Sequence, residues 1–450
     1  MKKRSNSMMR LPLFSVPILC AALAGSLWAE DWPGFLGPQR DGQSAEKGLL
    51  RSWPESGPQV LWHRAAGEGY AAPAVADGKL FFFERIGDTA RLVALDAKTG
   101  RELWTSGYPS FYEDAFEYSN GPRAAPLVEG DRVWVFGVDG RLRCHSVADG
   151  KVIWERDTAE EFGVVTNFFG VASSPAIEGD LLLVPIGGSP KGDWNIHEGK
   201  VDPDGSGLVA FDKATGREVW RAFDELASYA SPSVRTLRGG RVGVHLARDA
   251  LLLFEPSTGR MLDRFPFRAR KVYSVNGATP LVDGEEIFIT ESYELGGALL
   301  RVTGDAAKPK MELVWRDPPR RSQSLASHWA TPVLRDGILY GSSGEKSPTA
   351  ELRAVRWSDG EVLWSQRGLR RSSLTAAGDL LFVLSEYGQL HLVEATPSAY
   401  RELASAKLVG DVEGRSRDLL RYPAWAAPVL SNGVLYLRGK DRLVAVKVVP

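Results

Sequence analysis

The sequence predicts an all-β protein, an eight-bladed β-propeller of four-stranded antiparallel blades closed by an N-terminal strand that completes the last blade. The first observation is a repeat of about 40 to 50 residues, the size of one propeller blade. In its clearest copy Ala72-Pro73 opens an apolar run, Asp77-Gly78 turns it, and a second apolar run leads through Leu95-Asp96-Ala97-Lys98-Thr99-Gly100 to Leu103-Trp104. The second is the spacing of the terminal Trp, at Trp104, Trp154, Trp220, Trp315 and Trp364, each after an aliphatic residue and a Gly-containing turn. The third is a mismatch at the two ends. The last unit stops at Val449-Pro450 without a Trp strand, while Val60-Leu61-Trp62 is a Trp strand with no unit before it. Joining the two removes an open sheet edge.

Residues 1–29 read as a secretory signal peptide. Lys2, Lys3, Arg4 and Arg10 precede an apolar run from Leu11 to Leu23, and small residues follow, so cleavage falls after Ala24 or Ala29. The apolar run is short for a transmembrane helix, and no later stretch approaches the roughly 18 residues that a span requires. Leu19 before Cys20 argues against a lipid anchor, since a small residue is expected there. The protein is thus expected to be exported, to the periplasm or the cell exterior. Cys144 is then the sole cysteine of the mature chain, and no intrachain disulfide can form. Removing four of the 55 basic residues and none of the 56 acidic ones leaves a net charge of about −5. That balance gives no electrostatic case for nucleic acid or an anionic membrane surface.

Residues 30–59, with Asp31-Trp32-Pro33-Gly34-Phe35, are rich in Gly and Pro and carry no period, so they read as an extended arm packed on the propeller of residues 60–450. Within the propeller, Asp-Gly, Asn-Gly and Thr-Gly supply the left-handed positions of tight turns. Pro at the start of a strand removes no ladder hydrogen bond. Between Trp220 and Trp315 a copy at Glu255 to Leu262 carries Asp263 where Trp is expected, and two further units follow Trp364, giving eight. The repeated Trp is expected to pack between blades. The segment Gly187 to Gly207, polar and Gly-rich, reads as an exposed insertion in the third blade.

The stretches Leu95 to Trp104 and Phe211 to Trp220, Leu-Asp-Ala-Lys-Thr-Gly-Arg-Glu-Leu-Trp and Phe-Asp-Lys-Ala-Thr-Gly-Arg-Glu-Val-Trp, resemble the pyrroloquinoline-quinone-type propeller repeat. The resemblance covers nearly the whole mature chain. One branch of that superfamily is the quinoprotein alcohol dehydrogenases, with bound quinone and calcium. The other is the cofactor-free, BamB-like group of outer-membrane assembly factors. The dehydrogenase branch typically uses a disulfide between adjacent cysteines at its quinone site, and a chain whose only mature cysteine is Cys144 lacks that pair. The resemblance therefore implies a monomeric, non-enzymatic binding or assembly scaffold with no cofactor and a protein or carbohydrate partner. The alternative is a divergent quinoprotein (PQQ-dependent) dehydrogenase, or another enzyme with a site at the channel mouth, for which PQQ and calcium would be the cofactors.

Aligning the units on the small-Pro start places one residue three positions before each Pro, at the loop entering the innermost strand: Tyr70, Arg123, Ala172, Tyr229, Gly277, Trp329 and Trp425, with Arg370 or Arg371 in the unit that lacks the Pro. These positions are expected to ring the mouth of the central channel. With Asn167, Asn276 and His328 nearby in sequence, they would give a planar, anionic or carbohydrate-like ligand stacking faces, forked donors and polar anchors. The loop Tyr108 to Tyr118, with Tyr108, Phe111 and Tyr112, reads as an exposed aromatic rim for partner docking. No metal site is expected. The six histidines lack zinc-like spacing, and Lys213 stands where a calcium loop starting at Asp202 would need its bidentate Glu. Neither a Gly-x-Ser-x-Gly elbow nor a phosphate-binding Gly loop is present.

Overall fold

The computed structural model describes residues 30–191, 201–320 and 322–450. Residues 1–29, expected to be a signal peptide, and the centre of the Gly187–Gly207 insertion, which holds His197, lie outside the described residues. Eight four-stranded antiparallel sheets form the ring, each a meander running from an inner strand outward. Blade 1 shows the pattern, with strands Ala74–Ala76, Lys79–Ile86, Thr89–Asp96 and Glu102–Pro109. Blade 8 takes three strands from the C-terminus, Val429–Ser431, Val434–Arg438 and Arg442–Lys447, and its outermost strand, Val60–Ala65, from the N-terminus. Val60 lies opposite Val446 and Ala65 opposite Arg442, so the closure joins the two ends of the propeller sequence antiparallel. Arg438 seals the seam. Its buried guanidinium donates to the carbonyls of Ala71 and Phe83 in blade 1 at 2.8 and 2.7 Å, and to those of Gly67 and Glu68 at 3.3 Å.

The repeated Trp owes its position to a bulge. In every blade the register of the outermost strand shifts beside the Trp position, as between Ala94↔Trp104 and Leu95↔Glu102 in blade 1. The bulge leaves the preceding aliphatic residue unpaired and turned outward, which is why Leu103, Ile153, Val219 and Val314 are exposed. It also swings the indole onto the next blade. Trp104 Nε1 donates to the Val147 carbonyl at 3.0 Å and the ring covers Gly150. Trp62 bonds the Ala97 carbonyl over Gly100, Trp154 that of Lys213 over Gly216, and Trp220 that of Pro256 over Gly259. Trp315 and Trp364 make the same bond to the carbonyls of Trp357 and Thr396, both at 2.8 Å. At Gly150, with φ +72°, a Cβ would stand 2.4 Å from the Trp104 ring. Glycine is required there both by the turn and by the indole lying on it.

Two seams lack this Trp. Between blades 4 and 5, Asp263 accepts from the Met311 N–H at 2.7 Å and pairs with Lys310 at 3.2 Å. Between blades 7 and 8 the Trp position is Ala404, and Trp53 of the N-terminal arm packs into the shared core instead.

The arm runs around the channel at the end where the inner strands finish. Trp32 bridges Val75 in blade 1, Pro33 accepts from Val128 in blade 2, Arg40 donates to Pro175 in blade 3, and Gln39 accepts from Arg235 in blade 4. Gln43–Ser44 then adds a fifth, parallel strand to Ser372–Ala377 of blade 7, and Glu46 accepts from the turn Asn432-Gly433 of blade 8. Local structures without a counterpart in the repeat are a short helix, Thr158–Phe162, capped by Asp157, and a hairpin, Val409–Val412 with Arg415–Asp418. Where the insertion re-enters the blade it is not exposed. Ser206 and Gly207 are buried, the Ser206 hydroxyl accepting from the Gly188 N–H at 3.1 Å.

Removal of one interblade indole leaves a cavity and an unpaired carbonyl. Trp104→Ala is expected to cost about 3–5 kcal/mol of unfolding free energy, and urea titration followed by circular dichroism checks it.

Candidate functional site

The small-Pro opening places the residue three positions earlier at the top of each inner strand, opposite the arm. There Tyr70, Arg123, Ala172, Tyr229, Gly277, Trp329, Arg371 and Trp425 line one cavity of about 590 Å³. Arg371 rather than Arg370 faces it; Arg370 lies over Tyr387 outside. Asn276 and His328 belong to the same wall. Asn167 does not. It is buried with a left-handed backbone (φ 53°), and its amide donates to the Ala227 carbonyl at 3.1 Å. Phe35 of the arm also lines the cavity, so the channel is a cup with a floor.

The wall is a chain of rings. Tyr70 and Trp425 have centroids 4.8 Å apart, and Trp425 and Trp329 5.1 Å. The Arg371 guanidinium carbon stands 4.7 Å from the Trp329 centroid and 5.6 Å from that of Trp425. Across the cup Phe169 packs between Phe116 and Tyr229, and Tyr273 meets Tyr293 edge-on at 5.0 Å.

Each arginine at the cup already has a carboxylate. Arg123 pairs with Asp114 at 2.8 Å, the two side chains being 9% and 0% exposed, while its guanidinium lies over Tyr70. Arg371 pairs with Glu386 at 2.8 Å, and Glu386 also accepts from Trp425 Nε1 at 3.1 Å. Burial alone would raise the Glu386 carboxyl, but the hydrogen bonds led by Arg371 outweigh it and hold the group below the usual range. His328 is pushed down to about 3 by burial and by the neighbouring Arg371 charge, so it is a neutral imidazole. Arg371 has only donors, so His328 Nδ1 accepts at 3.4 Å and Nε2–H donates to the Tyr293 oxygen at 2.8 Å.

Two buried polar atoms, Asn276 Oδ1 and Trp329 Nε1, have no hydrogen-bond partner among the described residues, and both lie beneath the cavity surface rather than on it. Glu291 Oε1 accepts from Ser292 N–H at 2.8 Å. The Asn276 amide nitrogen donates to the carbonyls of Ala247, Arg248 and Phe267 at 2.9, 3.0 and 3.2 Å, which fixes Oδ1. Burial raises the Glu291 carboxyl to about 7, against smaller opposing effects from Ser292, Tyr293, Asn276 and Ser274.

The loop expected to form an exposed rim is divided. Tyr108 is 4% exposed, contrary to that expectation, because it ends the outermost strand of blade 1 and tucks its hydroxyl against Asp139 at 3.1 Å beneath Arg143. Phe111 is 73% exposed, and Tyr112 is partly buried, its carbonyl taking a bond from Arg85. Asp114 folds the rest, accepting from the N–H groups of Phe116 and Ser119 at 3.0 and 3.1 Å, and this brings Phe116 and Tyr118 to the cup.

Sequence reasoning missed Glu291, Tyr293, Glu386 and Phe35. The available signal for the two carboxylates was an acidic residue closing a second-strand apolar run, as in Ile287-Phe288-Ile289-Thr290-Glu291 and Leu381-Phe382-Val383-Leu384-Ser385-Glu386. That end of the second strand lies beside the start of the inner strand in an antiparallel pair.

The model of the family described as outer membrane protein assembly factor BamB matches residues 46–202 and 191–366. The chain belongs to this BamB family. A BamB protein of Shewanella oneidensis is 20% identical over 87% of this chain and 89% of its own length. The crystal structure of BamB from Moraxella catarrhalis superposes with a TM-score of 0.57 over 86% of this chain and 97% of that one, at 12% identity, a likeness of fold alone. A quinoprotein ethanol dehydrogenase of Pseudomonas putida is 30% identical, but over only 30% of this chain and 20% of its own.

That second kinship brings a quinone and calcium into question, and the cup does not fit them. Calcium takes six to eight oxygen ligands. Among the described residues no three His, Cys, Asp or Glu side chains come together in a way that could hold a metal ion. Of the cup's carboxylates, Glu345 pairs with Lys271 at 3.4 Å and Glu291 has Oε1 held by the Ser292 N–H. Both ring arginines, which an anionic quinone would need, are neutralised by Asp114 and Glu386. No helix among the described residues is long and apolar enough to cross a membrane.

Glu291 links the cup to stability. Its carboxyl rises from 4.5 unfolded to about 7 folded, so between these values the folded state keeps a proton that the unfolded chain has lost. Stability therefore falls as pH rises through that window and levels off above it. Glu291→Gln lacks this slope and is expected to gain roughly 3 kcal/mol over the parent between pH 4 and pH 8. Thermal melts of both proteins across that range check it.

Proposed function

We propose that this protein is a monomeric, non-enzymatic binding and assembly scaffold of the bacterial cell envelope, exported by its first 29 residues, whose cup is the binding site. One observation carries the reading. The cup presents aromatic faces while its arginines and their carboxylates are consumed by one another, Arg123 by Asp114 and Arg371 by Glu386. Such a wall holds its rings in place and offers little that could move a proton or stabilise a developing charge. Membership of the BamB family supports the assembly role. On this reading Tyr70, Arg123, Tyr229, Asn276, His328, Trp329, Arg371 and Trp425 form or support the site, Asn167 braces the backbone beneath it, and Phe111 and Tyr112 are the docking rim.

A second reading, an enzyme at the channel mouth, is favoured by Glu291, since a buried carboxyl that titrates near neutrality suits a general base. The two readings separate in one assay. The purified mature protein, incubated with pyrroloquinoline quinone, calcium and a redox dye, is expected to reduce no dye with primary alcohols. Quinone-dependent dye reduction that Glu291→Gln abolishes would overturn the scaffold reading. For the rim, the double variant Phe111→Ala, Tyr112→Ala is expected to retain less than a tenth of a cross-linked envelope partner on an affinity column. Undiminished retention by the variant removes those two residues from the interface.

A further inference from the structure

Resting on the reading of the cup as a binding site, we infer that the cup takes a single acyl chain, held on the side that blades 3, 4 and 5 contribute, with its polar end left at the mouth.

Small residues make the room. Around the ring, Ala172 of blade 3 and Gly277 of blade 5 flank Tyr229 of blade 4, whereas the other five blades place Trp, Tyr or Arg at that position. Side-chain bulk is missing on either side of Tyr229 and nowhere else in the circle. Phe116, Phe169 and Val275 line the cup with it. Arginines lie over Tyr70, Trp329 and Trp425, but among the described residues no cation lies over Phe116, Phe169 or Tyr229. The Tyr229 hydroxyl is tied to the backbone, accepting from the Phe168 and Phe169 N–H groups at 3.1 and 2.9 Å. Of blades 3 to 5 only Glu291 brings a carboxyl to the cup, and it is 1% exposed.

That surface suits an uncharged, flexible, apolar occupant. A charged ligand finds no countercharge, since Arg123 and Arg371 are spent on Asp114 and Glu386. A flat polycyclic ligand needs near-parallel faces to stack between. The Phe169 ring is instead inclined at 43° to Phe116 and 53° to Tyr229, so no parallel-sided slot exists there. A polypeptide segment brings an N–H and a carbonyl with each residue, and these require partners when buried. Ala172, Gly277, Val275, Phe116 and Phe169 have no polar side-chain atom to supply them. A methylene chain has no such requirement, bends to follow inclined rings, and gains by leaving water. The cavity volume of about 590 Å³ is that of an ordinary ligand pocket. Because Phe35 closes the bottom, only one end of the chain can project. Tyr118 and Tyr273 stand exposed at the mouth, and phenols suit a boundary where an apolar body meets a polar head and water.

The test is calorimetric titration of the purified mature protein with monohexanoin, monooctanoin, monodecanoin, monolaurin and monomyristin, each below its aggregation concentration. Affinity is expected to rise about 4-fold per added methylene and to level off once the cup is full. Ala172→Trp fills the space beside Tyr229 and should weaken monolaurin at least tenfold. Tyr387→Ala removes an exposed ring outside the cup and should change it less than twofold, with circular dichroism reporting that both variants fold. N-lauroylglycinamide carries the same chain on an amide and is expected to bind as well. Tighter binding of monolaurin names a free lipid as the source of the chain, and tighter binding of N-lauroylglycinamide names an acylated protein. Affinity that does not rise with chain length would overturn the inference without recourse to any variant. So would tighter binding of pyrenemethanol or of the capped peptide Leu-Phe-Leu than of monolaurin, or monolaurin binding indifferent to a folded Ala172→Trp. Those outcomes leave the scaffold reading standing, because that reading falls only to quinone-dependent dye reduction.

Discussion

The indole of one blade lying on the turn glycine of the next is the contact on which this ring depends. A β-meander sheet cannot close a circle by its own hydrogen bonds, since every bond it makes runs within a blade. Closure needs a lateral contact repeated at each seam, with a fixed distance and direction. The bulge before each Trp supplies the direction, and the Nε1 bond to a carbonyl such as that of Val147 supplies the distance. The glycine beneath, for example Gly150, lets the ring approach closer than any side chain would allow. The two seams that lack Trp show what the contact has to accomplish. At one, Asp263 restores a bond to the neighbouring backbone; at the other, Trp53 of the arm restores the ring.

This division of labour leaves the channel mouth unconstrained by closure. The Trp locks stand at the outer strand of each blade, whereas the mouth is formed by loops that enter the inner strands. Side chains there can differ from blade to blade without weakening the ring: Ala172 and Gly277 lie in the same circle as Trp329 and Trp425. The arm then removes the symmetry of the two channel ends. By bonding along the inner strands and placing Phe35 beneath the cup, it makes one end a floor and leaves the other as the entrance.

The architecture was legible in the sequence because each part of the lock is a residue type at a fixed interval. Trp, the preceding aliphatic residue and the turn glycine all have structural duties that tolerate few substitutes, and the unmatched Val60-Leu61-Trp62 strand revealed the closure. The ring positions were legible by alignment on Pro for the same reason. What alignment could not supply was depth. Asn167 and Asn276 carry the same signature, an Asn in the left-handed region before an inner strand, yet only Asn276 reaches the cup. Tyr108 read as part of an exposed aromatic run, but it belongs to the strand, and the run turns outward only after it. Glu291 ends the second strand of its blade and Glu386 directly follows that of another, both outside the window that the Pro alignment selects. Phe35 lies in a segment without period, where pattern carries no information about what the chain touches.

The buried ion pairs at the cup are better understood as positioning devices than as sources of stability. Taking Arg371 and Glu386 out of water costs several kcal/mol per ion, which their attraction only partly offsets. Apolar residues of similar volume would hold that region of the fold as well or better. What they would not do is orient the rings. Glu386 holds the Arg371 guanidinium and the Trp425 indole nitrogen together, and Arg371 in turn lies against Trp329 and reaches His328. Asp114 performs the same service on the other side, fixing Arg123 over Tyr70 while its remaining bonds fold the loop that carries Phe116 and Tyr118. Each carboxylate thus fixes one arginine and, through it, the angle of at least one aromatic face. A cup built this way has aromatic faces fixed in place with their charge already answered.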